Sequence, residues 1–81
     1  MKLTVKCFAA VADIVGSSRI ELTVEDFTTV LQLKRMMIES YPELARLESA
    51  LLFAVNGEYA SADRVLQAED EVACIPPVSG G

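Results

Sequence analysis

The 81-residue chain contains no histidine, no tryptophan and only two cysteines. Without histidine, the chain cannot by itself supply a Ser-His or Cys-His catalytic pair or a histidine ligand for a metal. Two cysteines are too few for a disulfide framework or a cysteine metal site. We therefore expect no metal centre, and any chemistry must use other groups or the residues of a partner protein.

Long hydrophobic runs and an excess of positive charge are also missing. No stretch reaches the roughly 18 uncharged residues of a membrane span, and Lys6 interrupts the N-terminal segment that would otherwise resemble a signal peptide. Seven basic against twelve acidic residues give a net charge of −5, which argues against nucleic-acid and anionic membrane partners. We expect a soluble, cytoplasmic protein. A basic protein partner and simple solubility explain the acidity equally well.

Apolar residues, by contrast, make up 52% of the chain and alternate with polar ones in segments that predict strands. These segments are "KLTVKCF", "RIELTVED" and "EVACIP", and "ALLFAVNGEYAS" predicts a hairpin because Asn56-Gly57 favours a tight type I′ turn. The residues expected to point inward from the three single strands are Leu3, Val5, Cys7, Ile20, Leu22, Val24, Val72 and Cys74. We expect the two cysteines to act as small buried hydrophobes.

Helical spacing predicts a short helix in "AAVADIVGSS", ended by Gly16, and a main helix in "FTTVLQLKRMMIESYPE". Thr28 or Thr29 can cap the main helix, and Pro42 ends it. Its apolar stripe comprises Val30, Leu33, Met37 and Tyr41. "ELARLES" predicts one further helical turn, and Val65 with Leu66 is expected to anchor the polar connector before the last strand.

The order of these elements predicts an α+β fold of the ubiquitin-like β-grasp type. We expect a mixed sheet of four to five strands, with the first and last strands parallel at its centre and the main helix packed on one face. The domain is expected to span residues 1–76, followed by a flexible tail, residues 77–81. Phe8 and Ile75 would share the face away from the helix, either as a partner-binding patch or as ordinary scattered surface apolars.

The final segment, "IPPVSGG", combines a rigid Pro-Pro pair with small residues. Extended, the five residues from Pro77 to Gly81 span roughly 16 Å, enough to enter an active site on another protein. Glycines have no Cβ, so a narrow tunnel could close around Gly80 and Gly81. The reactive group would be the Gly81 α-carboxylate. Since the sequence has no phosphate-binding loop, a partner enzyme would have to activate it.

Four stretches resemble one known family along the whole chain. "VKCFAAVADIVG", the Thr-Val-x-x-Leu helix opening at Thr29, "FAVNGEY" and above all "DEVACIPPVSGG" are similar to the small, sulfur-carrying subunits of molybdopterin synthase. That family lies in the ubiquitin-like group, which also includes the thiamine-pathway sulfur carrier.

The resemblance implies a function for the tail. A ubiquitin-activating-like adenylyltransferase would use ATP to adenylate Gly81, and a sulfur donor would convert it to a thiocarboxylate. The tail would then enter the large subunit of molybdopterin synthase and pass sulfur to cyclic pyranopterin monophosphate, forming the molybdopterin dithiolene. The family's assembly is a heterotetramer of two small and two large subunits, with the catalytic side chains on the large subunit and no cofactor bound by the small one.

The resemblance also implies particular contact residues. The family's subunit interface corresponds here to Phe8, Tyr59 and Ile75. Its tail contacts correspond to Pro76, Pro77, Val78, Ser79, Gly80 and Gly81. Cys74 lies close to the tail in the sequence, but the strand alternation predicts that its side chain points inward, which argues against a sulfur relay. Alternative functions are a thiamine-type sulfur carrier, a protein modifier that forms isopeptide bonds through Gly81, and an interaction domain with an inert tail.

Overall fold

The computed structural model describes residues 1–77 and contains five strands, two α-helices and one 3₁₀ helix. The strands are β1 (Lys2–Cys7), β2 (Arg19–Thr23), β3 (Leu52–Val55), β4 (Glu58–Tyr59) and β5 (Val72–Ile75). The helices are α1 (Ala9–Val15), α2 (Val30–Ser40) and the 3₁₀ helix Pro42–Ala50.

The strands form one mixed sheet in the order β2-β1-β5-β3-β4. β1 and β5 run parallel near the middle, with Cys7 opposite Cys74. The other pairs are antiparallel. Asn56 and Gly57 connect β3 to β4 with φ angles of 54° and 85°, the left-handed values that a type I′ turn requires. The predicted β-grasp fold is confirmed.

Helix α2 begins where the sequence predicted a cap and ends before Pro42. Thr29 is the N-cap: its hydroxyl accepts a hydrogen bond from the Gln32 N–H at 3.2 Å, and the Gln32 side chain accepts one from the Thr29 N–H at 2.9 Å. This capping box satisfies two backbone donors. Leu33 and Met37 are fully buried, so the apolar stripe of α2 packs in the core with the inward side chains of the sheet.

Several local predictions require correction. The segment after Pro42 is a nine-residue 3₁₀ helix rather than one turn. Ile20 and Leu22 are only half-buried, since β2 is an edge strand with a neighbour on one side alone. Val65 is 43% exposed, because its backbone bridges to Thr29 and only Leu66 inserts into the core.

Candidate functional site: the outer sheet face and the root of the tail

The sheet face opposite α2 is charged at one end and apolar at the other. Its β1 and β2 half carries Lys2, Thr4, Lys6, Arg19, Glu21 and Thr23. Its other half carries Leu52, Ala54, Tyr59, Ala73 and Ile75, which the strand register places side by side. We call these five residues, together with Phe8, the apolar patch.

Phe8 joins the patch although it lies outside β1. The strand ends at Cys7, and Phe8 is the N-cap residue of α1 with extended backbone angles (φ −119°, ψ 149°). Together with Ala54, Ala73 and Lys6 it lines an open surface cavity of about 200 Å³. The turn from β1 into α1 therefore brings the Phe8 ring beside the outer face of β3 and β5.

The patch contains several large apolar side chains that are exposed to solvent. Tyr59 is 73% exposed, Leu52 49% and Phe8 47%, and Ile75 is half-buried. Single exposed apolar residues need no explanation, but several on one continuous face are typical of an interaction surface. The structure thus brings the predicted residues Phe8, Tyr59 and Ile75 onto one face; their contact with a partner stays a prediction.

Leu52 is a member of the patch that the sequence analysis missed. It lies directly opposite Ile75 in the β3–β5 pair. The signal was present in "LLFAV", because Leu51, Phe53 and Val55 are buried and the period-2 alternation of a strand then places Leu52 outward.

Polar contacts fasten the hairpin turn beside the patch to the start of β5. The Asn56 side-chain amide donates to Asp70 Oδ1 at 2.9 Å, and Asn56 Oδ1 accepts from the Glu71 N–H at 2.9 Å. Lys6 Nζ lies 3.3 Å from Glu71 Oε1, an exposed ion pair that contributes little stability. These contacts fix the position of the turn between Ala54 and Tyr59, and so the shape of the patch.

The last residues that the structure describes lie at the edge of the patch. β5 ends at Ile75, Pro76 is buried and Pro77 is exposed. Pro76 therefore packs with the domain. The predicted contact residues Val78, Ser79, Gly80 and Gly81 lie outside the described residues. That Pro76 to Gly81 contact a partner's active site, and that the tail begins at residue 77, stay predictions.

The two cysteines are buried opposite each other in the parallel β1–β5 pair. Burial raises the pKa of the Cys7 thiol. Burial, and secondarily the neighbouring Cys7, raise the pKa of Cys74 to about 12, against a small opposing effect of Lys34. Because the thiolate is the reactive form of cysteine, neither side chain is suited to carry sulfur at neutral pH. Their predicted role as small hydrophobes is confirmed.

Two negative findings concern residues 1–77. This part of the chain contains no group of three or more histidine, cysteine or acidic residues that could hold a metal ion. None of its helices has the length and apolar character needed to cross a membrane.

Comparison with known proteins gives consistent matches. The model of the ThiS family matches residues 5–81. The molybdopterin synthase sulfur carrier subunit of Dictyostelium discoideum is 38% identical over 77 residues, covering 91% of this chain and 90% of that protein. The subunit of the same name from Escherichia coli K12 is 41% identical over 76 residues, with 91% and 93% covered.

A second kind of relative is also similar. Small archaeal modifier protein 1 of Haloferax volcanii is 31% identical over 84 residues, covering 94% of this chain and 97% of that protein. The crystal structure of this modifier, SAMP1, superimposes with a TM-score of 0.86 at 29% identity over the whole of both chains. Because the fold agrees and the family match covers nearly the whole chain, the chain belongs to the ThiS family of ubiquitin-like sulfur carriers.

Proposed function

We propose that this protein is the sulfur-carrier subunit of a molybdopterin synthase. The observation that carries the proposal is the apolar patch at the root of the tail: Phe8, Leu52, Tyr59 and Ile75 are exposed or half-buried on one sheet face, beside the point where the chain leaves β5. A partner that covers this patch would receive the tail in a defined direction.

The relatives support this assignment. Those from Dictyostelium discoideum and Escherichia coli are sulfur carrier subunits of molybdopterin synthase. A protein-protein complex of subunits 1 and 2 of the molybdopterin-converting factor from Helicobacter pylori contains a chain of the same fold (TM-score 0.68, 20% identity, covering the whole of both chains). We infer that this chain likewise binds a large subunit, in a heterotetramer of two small and two large subunits.

The chemistry is centred on the Gly81 carboxylate. A carboxylate ionised at neutral pH resists nucleophilic attack, so an adenylyltransferase would first join it to AMP from ATP, releasing pyrophosphate. A sulfur donor would then displace AMP and leave a thiocarboxylate. In the large subunit, the thiocarboxylate would transfer sulfur to cyclic pyranopterin monophosphate, and two such transfers would complete the dithiolene.

The chain itself contributes recognition and the reactive terminus. Its thiols are buried with raised pKa values, and its sequence contains no histidine. The catalytic side chains of the synthase would therefore lie on the large subunit. ATP would be bound by the activating enzyme rather than by this chain, and the reaction would take place in the cytoplasm.

Intact mass spectrometry tests the first half of this proposal. The full chain is incubated with ATP, an activating enzyme and a sulfur source, and its C-terminal peptide should then gain the mass of a sulfur that replaces one oxygen. A mass unchanged in the presence of an active enzyme contradicts the carrier function. In the second half, the thiocarboxylated chain is mixed with a molybdopterin synthase large subunit and the pyranopterin, and dithiolene product is expected.

A second candidate is a protein modifier, and the similarity to the Haloferax volcanii modifier favours it. In that case, the activated Gly81 would form an isopeptide bond with a lysine of another protein. A thiamine-type carrier is a further candidate, because the ThiS family model matches. Lysine-linked conjugates without dithiolene product would favour the modifier, and competence in thiazole formation alone would favour the thiamine pathway.

A further inference from the structure

One line of residues crosses all five strands on the sheet face opposite α2. The strand registers place its members side by side in the order Arg19, Lys6, Ala73, Ala54 and Tyr59. We call this line the cross-sheet row. Its last three residues belong to the apolar patch, and its first two are basic. The patch therefore continues directly into a pair of positive charges on β1 and β2.

The two basic residues of the row lie directly opposite each other in the antiparallel β1–β2 pair. Opposed residues on one sheet face have Cβ atoms roughly 5 Å apart, and like charges at such positions repel each other. Both Lys6 and Arg19 are exposed, so water weakens this repulsion without making it favourable. The free domain therefore gains no stability from having two cations here.

The charges near these two residues are engaged to different degrees. The charged side chains on and beside this half of the face are Lys2, Lys6, Arg19, Glu21, Asp70 and Glu71. Lys6 Nζ is paired with Glu71 Oε1 at 3.3 Å. Both carboxylate oxygens of Asp70 accept hydrogen bonds, from the Asn56 side-chain amide at 2.9 Å and from the Gln67 N–H at 2.8 Å. The acidic groups beside the row are therefore already used within the domain.

The remaining charges of this half, on Arg19, Glu21 and Lys2, form no ion pair within the described residues. Glu21 and Lys2 have opposite signs and lie in the next two outward-facing pairs of the β1–β2 ladder, opposite Thr4 and Thr23. Both are thus farther from the apolar patch than Arg19, which lies in the cross-sheet row itself. The uncompensated charge nearest the patch is therefore positive and belongs to Arg19.

The surface around this charge has room for a side chain of a partner. Arg19 and Lys6, with Thr4, line an open surface cavity of about 210 Å³, and Lys6 also lines the cavity beside Phe8. The backbone of Arg19 is held at the start of β2, because the Ser17 hydroxyl donates to its carbonyl at 2.8 Å and accepts from its N–H at 3.2 Å. The Arg19 side chain thus extends from a fixed position next to a depression that adjoins the patch.

The size of an ordinary interface brings a partner on the patch as far as Arg19. Neighbouring strands lie about 4.8 Å apart, so β2 is about 14 Å from β3, the middle strand of the patch. A stable interface buries about 800 Å² on each partner, which is a surface about 28 Å across. A partner centred on the patch therefore reaches about 14 Å to either side and also lies over β1 and β2.

We propose that Arg19, with Lys6 beside it, forms a charged border of the subunit interface and binds an acidic side chain of the partner. The inference rests on the function proposed above, because the partner is the large subunit that would cover the apolar patch. In the complex, a carboxylate accepts hydrogen bonds from the Arg19 guanidinium, whose planar geometry can engage both carboxylate oxygens. The same carboxylate offsets the repulsion between Arg19 and Lys6.

The charged border gives the partner a direction. The chain has a net charge of −5, so a partner selected by net charge alone would be basic and would be repelled at Arg19. A partner with an acidic group at one end of the cross-sheet row and an apolar surface at the other fits in one orientation only, since reversing it leaves its acidic group on Tyr59. That orientation is fixed relative to the end of β5.

Charge reversal at Arg19 tests the border. The Kd for a molybdopterin synthase large subunit is measured by calorimetric titration at about 0.02 M and about 0.5 M salt, where charges are weakly and strongly screened. Arg19→Glu should raise Kd by about tenfold at low salt but by less than about threefold at high salt, and Arg19→Gln by about threefold at low salt. Arg35→Glu makes the same charge change on α2, which packs on the other face of the sheet, and should change Kd by less than about twofold at either salt.

A carbodiimide cross-link identifies the acidic group. Arg19→Lys keeps the positive charge, and the amine at position 19 can condense with a carboxylate in contact with it. An amide bond forms, and the carbodiimide takes up the elements of water as a urea. Peptide mapping of the complex should find position 19 joined to an aspartate or glutamate of the large subunit. Arg35→Lys should give no such link.

The outcomes separate this inference from the proposed function. If Tyr59→Ala weakens binding while Arg19→Glu binds as tightly as the unaltered chain, the border is refuted and the function proposed for the chain stands. Equal losses from Arg19→Glu and Arg35→Glu would show an effect of net charge and would also overturn the border, as would a loss that salt does not reduce. The Tm of each Arg19 variant should stay unchanged, and a large drop would assign Arg19 to the fold. Failure of the unaltered chain to bind a large subunit contradicts the proposed function and the border with it.

Discussion

Replacing Tyr59 with alanine is expected to weaken binding to a molybdopterin synthase large subunit more than it destabilises the fold. Tyr59 is 73% exposed and lies on the two-residue strand β4, opposite Ala54. A tyrosine side chain offers roughly 200 Å² for burial, so about 150 Å² remains for a partner to cover. At about 25 cal/mol per Å², this area corresponds to about 3.7 kcal/mol.

Only part of that free energy will be measured as affinity, because association also costs side-chain and rigid-body freedom. We expect a loss of about 2 kcal/mol, a roughly thirtyfold increase in Kd. The folded monomer loses the buried quarter of the side chain, about 50 Å² or about 1.3 kcal/mol by the same conversion, and its cross-strand contact with Ala54, together about 1.5 kcal/mol, which is an upper bound because the unfolded chain already buries part of this area. Calorimetric titration of the large subunit gives the first quantity, and urea unfolding of the isolated chain gives the second.

Two control variants separate the patch from the core and from the rest of the surface. Leu33→Ala removes a fully buried side chain and should cost about 2–5 kcal/mol in unfolding. Val65→Ala truncates an exposed apolar side chain off the patch and should leave both Kd and stability nearly unchanged. An unaltered Kd for Tyr59→Ala would refute the assignment of the patch as the subunit interface.

Three further perturbations have defined outcomes. Deleting Gly81 should abolish thiocarboxylate formation, read by intact mass, while the Tm stays unchanged; a large drop in Tm would mean that the tail is structural. Above pH 9 the Cys74 thiol of the unfolded chain, with its ordinary pKa of 9.0, is ionised. The folded thiol, with its pKa raised to about 12, stays neutral up to that pH. Cys74 should therefore lower the free energy of unfolding by about 1.4 kcal/mol per pH unit between pH 9 and 12. Cys74→Ala should lack that contribution in urea unfolding and keep only the one from Cys7, whose pKa is also raised by burial, and equal alkaline slopes would contradict the assignment. Thr29→Ala removes the hydroxyl of the capping box and should lower the free energy of unfolding by about 1 kcal/mol, whereas Ser in its place should retain most of it.

Local sequence patterns were sufficient for the elements and most of their boundaries. Alternation placed β1, β2 and β5, Asn56-Gly57 identified the hairpin, and Pro42 marked the end of α2. These signals succeed because side-chain periodicity and turn chemistry depend on residues close together in the chain. The order of the elements then limited the topology to one in which the first and last strands pair in parallel.

The degree of burial was less predictable, because it depends on which elements are neighbours. Ile20 and Leu22 have the same alternation as Leu3 and Val5, yet they are only half-buried since no strand lies beyond β2. Val65 and Leu66 were both expected to anchor the connector before the last strand, yet Leu66 is buried and Val65 is 43% exposed. Alternation indicates which residues share a face, but not how completely that face is covered.

By itself, the sequence determined the fold class, the family resemblance carried by "DEVACIPPVSGG", and the absence of histidine, which excludes histidine-based catalysis by this chain alone. Only the tertiary structure decided that Leu52 joins Phe8, Tyr59 and Ile75 in one patch, and that Arg19 and Lys6 lie in line with that patch across the sheet. The physical reason is that surfaces and sheet edges form from strands distant in the chain. Which residues share such a surface therefore depends on the pairing of distant strands, and local periodicity in the sequence does not reveal that pairing.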